Sequence, residues 1–356
     1  MRWTILFASC LSLLASVADS SPADLRKVTL IVSTSGAPDV GSSTYSSLPQ
    51  ALGYWKEEGL DVVIESVAGS SAAMQLLNSG QADATPSGTS ALMLANAAGV
   101  DLVAYYTNIT RAFQNPAVPV DSEINTITEL KGKIIGAANL ESGTVPYVKG
   151  ILRKAGVDLS SVTFVATGTG PEAVAALQNK RVDALSLYDN IYANIENLGV
   201  PLRILKSEFS EALGFQVAMI SRREWLNKNP QLAVGLAKGI AKATLFAQTN
   251  PEAAVRLHWK IYPSSKPIGI DDAKALSMAV AILKARLANS GQVDGKWGLS
   301  TPQQISSFRD LMVDAGVVPS KVKADTLWTG KYIDQINEFD QSEIIEAAKI
   351  ASYSKQ

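Results

Sequence analysis

The sequence predicts an α/β protein of two similar lobes, each a mixed, mostly parallel sheet flanked by helices, with a helical C-terminal region packed on the first lobe. Three observations predict it. A strand–helix–strand pattern with short links opens the chain and returns further on. The segment LNSGQADA at 77–84 reappears as LQNKRVDA at 177–184, an offset of 100 residues. Beyond residue 205, one more strand leads into mostly helical segments.

The first lobe begins with an apolar strand at 28–32, followed by a polar loop. We expect a helix over 45–58, ended by Gly59, and a second strand at 60–66. A glycine just past the last helical turn is the usual left-handed cap. A strand, a helix and a strand with short links indicate a βαβ unit on a parallel sheet.

The second lobe repeats this order. A strand is expected at 133–136, a helix at 144–155 ended by Gly156, and a further strand at 162–166. Chance similarity between helices rich in alanine and leucine is the alternative explanation of the repeat. The order of strands, helices and glycines favours two lobes of similar design.

The C-terminal part returns to the first lobe through a strand at 214–220 and continues as helices. Pro251 and Pro302 stand at first helical positions, where a missing N–H costs nothing. Short crossings near 111–118 and 205–214 predict a paired-strand hinge. The expected helices are 223–228 leading into 230–248, then 251–262, 271–288, 302–315 and 342–351. The expected divisions are a signal peptide at 1–20, the first part of lobe one at 21–112, lobe two at 113–208, and the return to lobe one with the C-terminal helices at 209–356.

The first twenty residues are typical of a secretory signal peptide. Arg2 precedes an apolar stretch at 3–17, and small residues follow, so cleavage is expected after Ala18 or Ser20. The alternative is an anchor helix that stays in the membrane, but the stretch is shorter than the roughly 20 apolar residues needed to span a bilayer. The apolar stretch before Cys10 is too short for a lipoprotein signal. The mature chain is therefore expected outside the cytoplasm.

Composition excludes several function classes. Lys and Arg (32) nearly balance Asp and Glu (33), which argues against a nucleic-acid partner. His258 and Cys10 are the one histidine and the one cysteine of the chain. Mechanisms that need a Ser-His-Asp or Cys-His pair, and His/Cys zinc sites, therefore lack residues. We therefore expect a protein that is not an enzyme and that has no metal site and no cofactor. A secreted enzyme that uses carboxylates alone is the alternative.

Candidate binding residues lie where strands pass into helices, because ligands of open α/β sheets sit beyond the carboxyl ends of strands. Four such junctions are rich in Gly, Ser and Thr: 69–71, 87–90, 142–144 and 168–171. A helix N-terminus carries about half a positive charge, so these junctions favour an anion. Helix capping alone is the alternative, since Ser and Thr are good caps without any ligand.

Five further side chains are candidates for the same site or its surroundings. Tyr45 and Tyr188 can line a pocket and still donate a hydrogen bond. Asp189 can cap its own helix or bind an amine, so the charge of the ligand stays open, with an anion favoured. Arg111 is expected to be a solvated residue of the crossing between the lobes, and His258 a packing or helix-end residue.

Several segments in a fixed order carry a family resemblance. They are residues 51–62 (ALGYWKEEGLDV), 79–83 (SGQAD), 129–136 (ELKGKIIG), 143–144 (GT), 176–184 (ALQNKRVDA) and 250–254 (NPEAA). With them the chain resembles the substrate-binding proteins of ABC transporters, in the group that includes alkanesulfonate-, taurine-, nitrate- and thiamine-pyrimidine-binding proteins. The resemblance covers nearly the whole mature chain.

The resemblance implies a two-lobed periplasmic binding protein type II fold that closes over a small solute. It implies a periplasmic, monomeric protein whose partners are that solute and a membrane permease. Enzymes on the same fold need cysteines that the mature chain lacks. The implied ligand contacts are Ser43, Tyr45, Ser70, Ser71, Ser87, Gly88, Thr89, Asn108, Ser142, Gly143, Thr144, Thr169, Tyr188 and Asp189.

Overall fold

A computed structural model describes residues 25–34, 36–140 and 142–351. Within these residues the chain forms ten β-strands and fourteen α-helices. The expected signal peptide, with Cys10, lies outside the described residues. No helix of the described part is long and apolar enough to cross a membrane.

The first sheet belongs to the N-terminal half and one returning strand. Its strands are β1 (Arg26–Val32), β2 (Leu60–Ser66), β3 (Ala84–Gly88), β4 (Leu102–Ile109) and β10 (Val217–Arg222), in the order β2-β1-β3-β10-β4. Strand β1 pairs in parallel with β2 and β3, whereas β10 is antiparallel to both β3 and β4. With α1 (Ser47–Ala51), α2 (Tyr54–Glu57), α3 (Ser70–Asn78) and α4 (Thr89–Ala97), this sheet forms lobe one.

The second sheet repeats that design. Its strands are β5 (Ala117–Pro119), β6 (Ile134–Ala137), β7 (Thr163–Ala166), β8 (Ala184–Ser186) and β9 (Leu202–Ile204), in the order β7-β6-β8-β5-β9. Strand β6 is parallel to β7 and β8, and β5 is antiparallel to β8 and β9. With α5 (Thr144–Lys154), α6 (Pro171–Gln178) and α7 (Asp189–Asn197), this sheet forms lobe two. The predicted fold of two mixed sheets flanked by helices is confirmed.

The two aspartates of the repeat, Asp83 and Asp183, make equivalent hydrogen bonds in the two lobes. The Thr29 amide donates to Asp83 Oδ2 over 2.8 Å, and the Ile134 amide donates to Asp183 Oδ2 over the same distance. The amides of Asp83 and Asp183 donate back to the carbonyls of Thr29 and Ile134. Each aspartate therefore joins the start of the central strand of its sheet, β3 or β8, to the neighbouring parallel strand, β1 or β6.

The single helix expected over 45–58 is wrong. A 3-10 helix covers Val40–Tyr45, and the helical chain then breaks between α1 and α2 at Gly53, whose φ is +77°. A left-handed backbone of this kind suits glycine, which has no Cβ to clash. The break directs Trp55 into the C-terminal helices, where its Nε1 donates to the Leu236 carbonyl over 3.0 Å.

The C-terminal region consists mainly of helices that contact both lobes. They are α8 (Arg223–Lys228), α9 (Pro230–Thr249), α10 (Pro251–Ile261), α11 (Asp272–Leu287), α12 (Pro302–Asp314), α13 (Ile333–Ile336) and α14 (Gln341–Ile350). Helix α9 packs its apolar residues into one core with β1 and β2 of lobe one, as expected. Helix α11 additionally packs on α7, and α12 packs on α5.

A second hydrophobic core joins the two lobes. It contains Ile31 and Leu92 of lobe one, Ile135 and Val148 of lobe two, and Leu311 of α12. The C-terminal helices thus keep the two sheets close to each other, and a cavity lies between the sheets.

Candidate ligand-binding site

A cavity of about 430 Å³ lies between the lobes. Its walls come from the carboxyl ends of β1 and β3, the N-termini of α3, α4, α5 and α7, the crossing at 113–114, and helices α11 and α12. This is the place where open α/β sheets bind ligands, because strand ends and helix starts meet there.

Three helix N-termini open onto the cavity without an acidic residue in their first turn. The N-cap residues of α3, α4 and α5 are Gly69, Gly88 and Gly143, and all three line the cavity. A glycine has no side chain, and none of these N-caps makes a side-chain cap hydrogen bond. The partial positive charge of each helix start is therefore not balanced by a side chain of its own first turn.

Hydroxyl groups surround these helix starts. Ser70 Oγ accepts from the Gly88 amide over 3.2 Å, and Ser87 Oγ lies 3.0 Å from Thr85 Oγ1 and also bonds to Ser33. In lobe two, Thr144 Oγ1 donates to the Ser186 carbonyl over 2.7 Å. The lining is therefore rich in groups that donate to or accept from a polar solute.

Arg286 of α11 places a buried guanidinium at the same cavity. Its side chain is 7% exposed, and Nη2 lies 2.9 Å from Asp189 Oδ1 and donates to Asn190 Oδ1 over 2.7 Å. The guanidinium carbon lies 4.8 Å from the centroid of the Phe113 ring and 5.8 Å from that of Tyr188. The buried Nε has no hydrogen-bond partner among the described residues.

The Arg286–Asp189 pair keeps its positive member charged. Burial lowers the pKa of Arg286, but Asp189, followed by Tyr45 and Asp39, outweighs burial and raises that pKa overall. Burial raises the pKa of Asp189, whereas Arg286 and the Asn289 amide, which donates to Asp189 Oδ2 over 2.9 Å, oppose the rise. The cavity wall therefore contains a charged hydrogen-bond donor, Arg286, whose counter-ion is Asp189.

Eight of the fourteen predicted contact residues line the cavity. They are Tyr45, Ser70, Ser87, Gly88, Ser142, Gly143, Thr144 and Tyr188. The other six do not line it: Ser43, Ser71, Thr89, Asn108, Thr169 and Asp189. Tyr45 is partly exposed as a residue, but its hydroxyl group lies in buried surroundings, which raise its pKa.

The six residues away from the cavity have other environments. Thr89 Oγ1 donates to the Phe215 carbonyl over 2.5 Å, so it braces α4 against the returning chain. Ser43 and Asn108 are buried in the fold, and Ser71 faces solvent on α3. Asp189 is the first residue of α7 and accepts from the Asn190 amide over 2.7 Å, so its position at a helix start was anticipated while its partner Arg286 was not.

The junction at 168–171 does not take part in the cavity. It opens α6, whose first turn contains Glu172, and the Glu172 carboxylate lies against Gly168 and Gly170. An acidic side chain at this position already complements the helix start. Thr169 therefore lies beside a helix N-terminus whose partial positive charge is already balanced by Glu172.

Sequence reasoning missed Arg286, Asp39 and Asn190. Asp39 lines the cavity and accepts from the Ser42 amide over 2.9 Å and from Asn190 Nδ2 over 3.2 Å. The sequence contained one signal for Arg286. It lies between Leu283 and Leu287, two apolar residues one helical turn apart in α11, so a charge stands beside an apolar helix face. No feature of the neighbouring sequence indicated which carboxylate would pair with Arg286.

Arg111 and His258 lie apart from the cavity. Arg111 is exposed, and its Nη1 donates to the Ala288 carbonyl over 2.8 Å. His258 is buried, and its Nδ1 lies 2.8 Å from Ser47 Oγ. In the described residues no group of three or more His, Cys, Asp or Glu side chains is placed to hold a metal ion.

A family model described as NMT1/THI5 like matches residues 46–254, which is more than half of the chain. The chain belongs to the NMT1/THI5-like family. The match contains the first two helices, both sheets' parallel strands other than β1, and the N-termini of α3, α4 and α5. No curated protein sequence matches the chain.

Solved structures share the fold. The periplasmic aliphatic sulphonate binding protein SsuA from Escherichia coli has a TM-score of 0.64 at 19% identity, covering 87% of this chain and 93% of its own. The alkanesulfonate-binding protein SsuA from Xanthomonas axonopodis pv. citri, bound to MOPS, has a TM-score of 0.60 at 18% identity, with 87% and 99% covered. The desulfurization enzyme DSZB has a TM-score of 0.55 at 14% identity, with 87% and 98% covered.

Proposed function

We propose that this protein is an extracytoplasmic solute-binding protein. It captures a small anionic solute, sulfonate-, taurine- or nitrate-like, in the cavity between the lobes and delivers it to an ABC importer in the membrane. One observation carries the proposal: three glycine-capped helix N-termini without first-turn carboxylates line the cavity together with the charged side chain of Arg286. Backbone N–H groups and helix dipoles bind anions in this arrangement.

The charges around the cavity are compatible with an anion. Arg286 and Asp189 form a close pair that nearly cancels at a distance. Three helix starts, each worth about half a positive charge, then face a single lining carboxylate, Asp39. That carboxylate already accepts from Ser42 and Asn190, so its charge is partly satisfied inside the protein.

Asp39 also supports a second candidate, a thiamine-precursor pyrimidine or another amine-bearing solute. A carboxylate on the cavity wall is a good acceptor for an amine. An enzyme that uses carboxylates alone is a third reading, prompted by the catalytic relative that shares the fold. Turnover of a candidate solute by the purified protein would support that reading, and unchanged solute after incubation would oppose it.

The substitution Asp39→Asn separates the first two candidates. Asparagine caps helices about as well as aspartate, so the 3-10 helix at Val40–Tyr45 should persist. If the solute is an anion, calorimetry should show equal or tighter binding, because a repelling charge is removed. If the solute is an amine, affinity should fall by about tenfold or more, as a charge-assisted hydrogen bond worth about 1.5–3 kcal/mol is lost.

Asp158→Asn is the matched control. Asp158 caps the 3-10 helix at Leu159–Ser161 in the same way, accepting from the Ser160 amide over 3.0 Å, and it does not line the cavity. Its substitution should leave affinity unchanged. Weaker binding of sulfonates by Asp39→Asn, with Asp158→Asn at wild-type affinity, would contradict the anion proposal.

Export and delivery have their own test. Solute uptake should be lost from cells that lack the gene, be restored by the full chain, and stay lost when residues 1–20 are deleted. Mass spectrometry of the mature protein would show whether the chain begins after Ala18 or Ser20. Full uptake with the truncated chain would contradict the exported role.

A further inference from the structure

We propose that the bound anion carries an aromatic ring. This inference rests on the proposed function and names the solute class within it. Three aromatic residues that line the cavity, Tyr45, Phe113 and Tyr188, keep part of their surface exposed. Two further lining rings, Tyr147 and Phe308, are almost fully buried. The partly exposed rings leave apolar surface for a solute, whereas the buried rings are part of the packed wall.

The partly exposed rings are arranged around the buried guanidinium. The centroids of Phe113 and Tyr188 lie 6.1 Å apart with the rings inclined at 58°, and Arg286 lies within 6 Å of both. The rings come from separate parts of the chain: Phe113 from the crossing between the lobes and Tyr188 from the start of α7. A ring placed against Phe113 or Tyr188 would meet aromatic surface and lie beside a fixed cation at once.

The volume of the cavity also favours an anion that carries an aromatic ring. A cavity of about 430 Å³ falls in the range of roughly 300–1,000 Å³ that small organic ligands occupy. An inorganic oxyanion such as nitrate, or a two-carbon sulfonate, would leave most of this space, and the exposed surface of Tyr45, Phe113 and Tyr188, in contact with water. An arenesulfonate or arenecarboxylate fills the space with its ring and presents its anionic group to the helix N-termini.

The test compares anions that differ only in the ring. Calorimetric affinities of the full mature chain would be measured for benzenesulfonate against ethanesulfonate, and for benzoate against acetate. The arene of each pair should bind at least about tenfold tighter, the gain expected from an aromatic contact beside a buried cation. Equal affinities within both pairs would overturn the inference and leave the proposed function standing. No binding by any of the four anions would overturn both.

Substitutions locate the effect. Phe113→Leu and Tyr188→Leu should each weaken benzenesulfonate binding about fivefold to tenfold more than they weaken ethanesulfonate binding. Tyr188→Phe, which keeps the ring, should retain the wild-type preference for benzenesulfonate over ethanesulfonate. Phe164→Leu is the control, because this half-buried ring of β7 lies outside the cavity and contacts Lys149. If the leucine variants weaken both anions alike, or if Phe164→Leu has the same effect, the rings are not the arene site. Thermal unfolding of each variant would confirm that it is folded.

Discussion

At the scale of single residues, His258 is the clearest case of a side chain whose chemistry is set by burial. The ring is fully buried on α10, Nδ1 lies 2.8 Å from Ser47 Oγ, and Nε2 has no side-chain partner. Burial lowers the pKa of His258 to about 4, although the nearby Asp39 carboxylate raises it in part. The histidine is therefore neutral at pH 7, and protonating it requires a buried charge.

We predict that this histidine makes the protein less stable in mild acid. Between pH 6.5 and about 4 the unfolded chain binds the proton and the folded chain does not, so the free energy of unfolding falls as pH falls. From pH 7.5 to 4.5 the loss due to His258 should be about 2–3 kcal/mol. Urea denaturation at both pH values measures it.

His258→Gln isolates this contribution. Glutamine does not titrate, so the variant should be less stable than the wild type at pH 7.5 but lose less stability on acidification. Because the chain has a single histidine, no other imidazole contributes in this window. Equal pH dependence in the wild type and His258→Gln would contradict the assignment.

At the scale of elements, helix α5 and helix α12 approach each other closely at Gly150. A Cβ at this position would lie 2.9 Å from Leu311 Cγ and 3.0 Å from the Leu311 carbonyl oxygen. The backbone oxygen cannot rotate away, so even a methyl group would push the helices apart. The position of α5 matters for the site, because its N-terminal residues Gly143 and Thr144 line the cavity.

We predict that Gly150→Ala destabilises the protein by about 1–3 kcal/mol, as overpacking does. In a helix without this contact the same change would stabilise by about 0.5–1 kcal/mol, so the sign reports the helix contact. Denaturant unfolding gives the value. The double variant Gly150→Ala/Leu311→Ala should be more stable than the sum of the single effects predicts, since alanine removes the side-chain part of the clash. Strict additivity would show that the two positions do not interact.

At the scale of the whole molecule, a polar bridge crosses one wall of the cavity. Asn190 of lobe two donates to Asp39 of lobe one over 3.2 Å and accepts from Arg286 of the C-terminal α11 over 2.7 Å. Asn197 of α7 also donates to the Met278 carbonyl of α11 over 3.1 Å. These contacts tie lobe two to both other parts of the molecule, in addition to the two chain crossings.

We predict that this bridge restrains opening of the lobes. A ligand favours the closed form only to the extent that it binds that form better, and the bridge favours the same form without ligand. In small-angle X-ray scattering, ligand-free Asn190→Ala should have a larger radius of gyration than the ligand-free wild type. Cognate solute should compact the variant more than the wild type.

Asn194→Ala on the same helix is the control, because Asn194 does not line the cavity. It should leave the scattering of the ligand-free protein unchanged. Superimposable curves for ligand-free wild type and Asn190→Ala would refute the bridge as a restraint.

The sequence by itself determined the two-sheet fold and much of the cavity lining. Strands and helix ends are local: apolar runs, the glycine after a helix and the hydroxyls at a helix start can be read within a few residues. The 100-residue repeat then indicated two sheets of one design, and both show the same strand order. Because strand ends and helix starts converge in such sheets, Ser70, Ser87, Gly88, Ser142 and Thr144 could be expected near one another.

Only the tertiary structure decided which charges meet and which helix starts face the ligand. Arg286 meets Asn190 across 96 residues of chain, and Asn190 meets Asp39 across 151. No local pattern distinguishes such partners from other charged residues on helices. The start of α6 looks like those of α3 and α5 in the sequence, yet it lies away from the cavity and is balanced by Glu172. Trp55, two residues after the break at Gly53, likewise meets a distant partner, the Leu236 carbonyl of α9. Packing between distant segments decides these features, because a side chain's environment depends on neighbours that the chain brings together only when it folds.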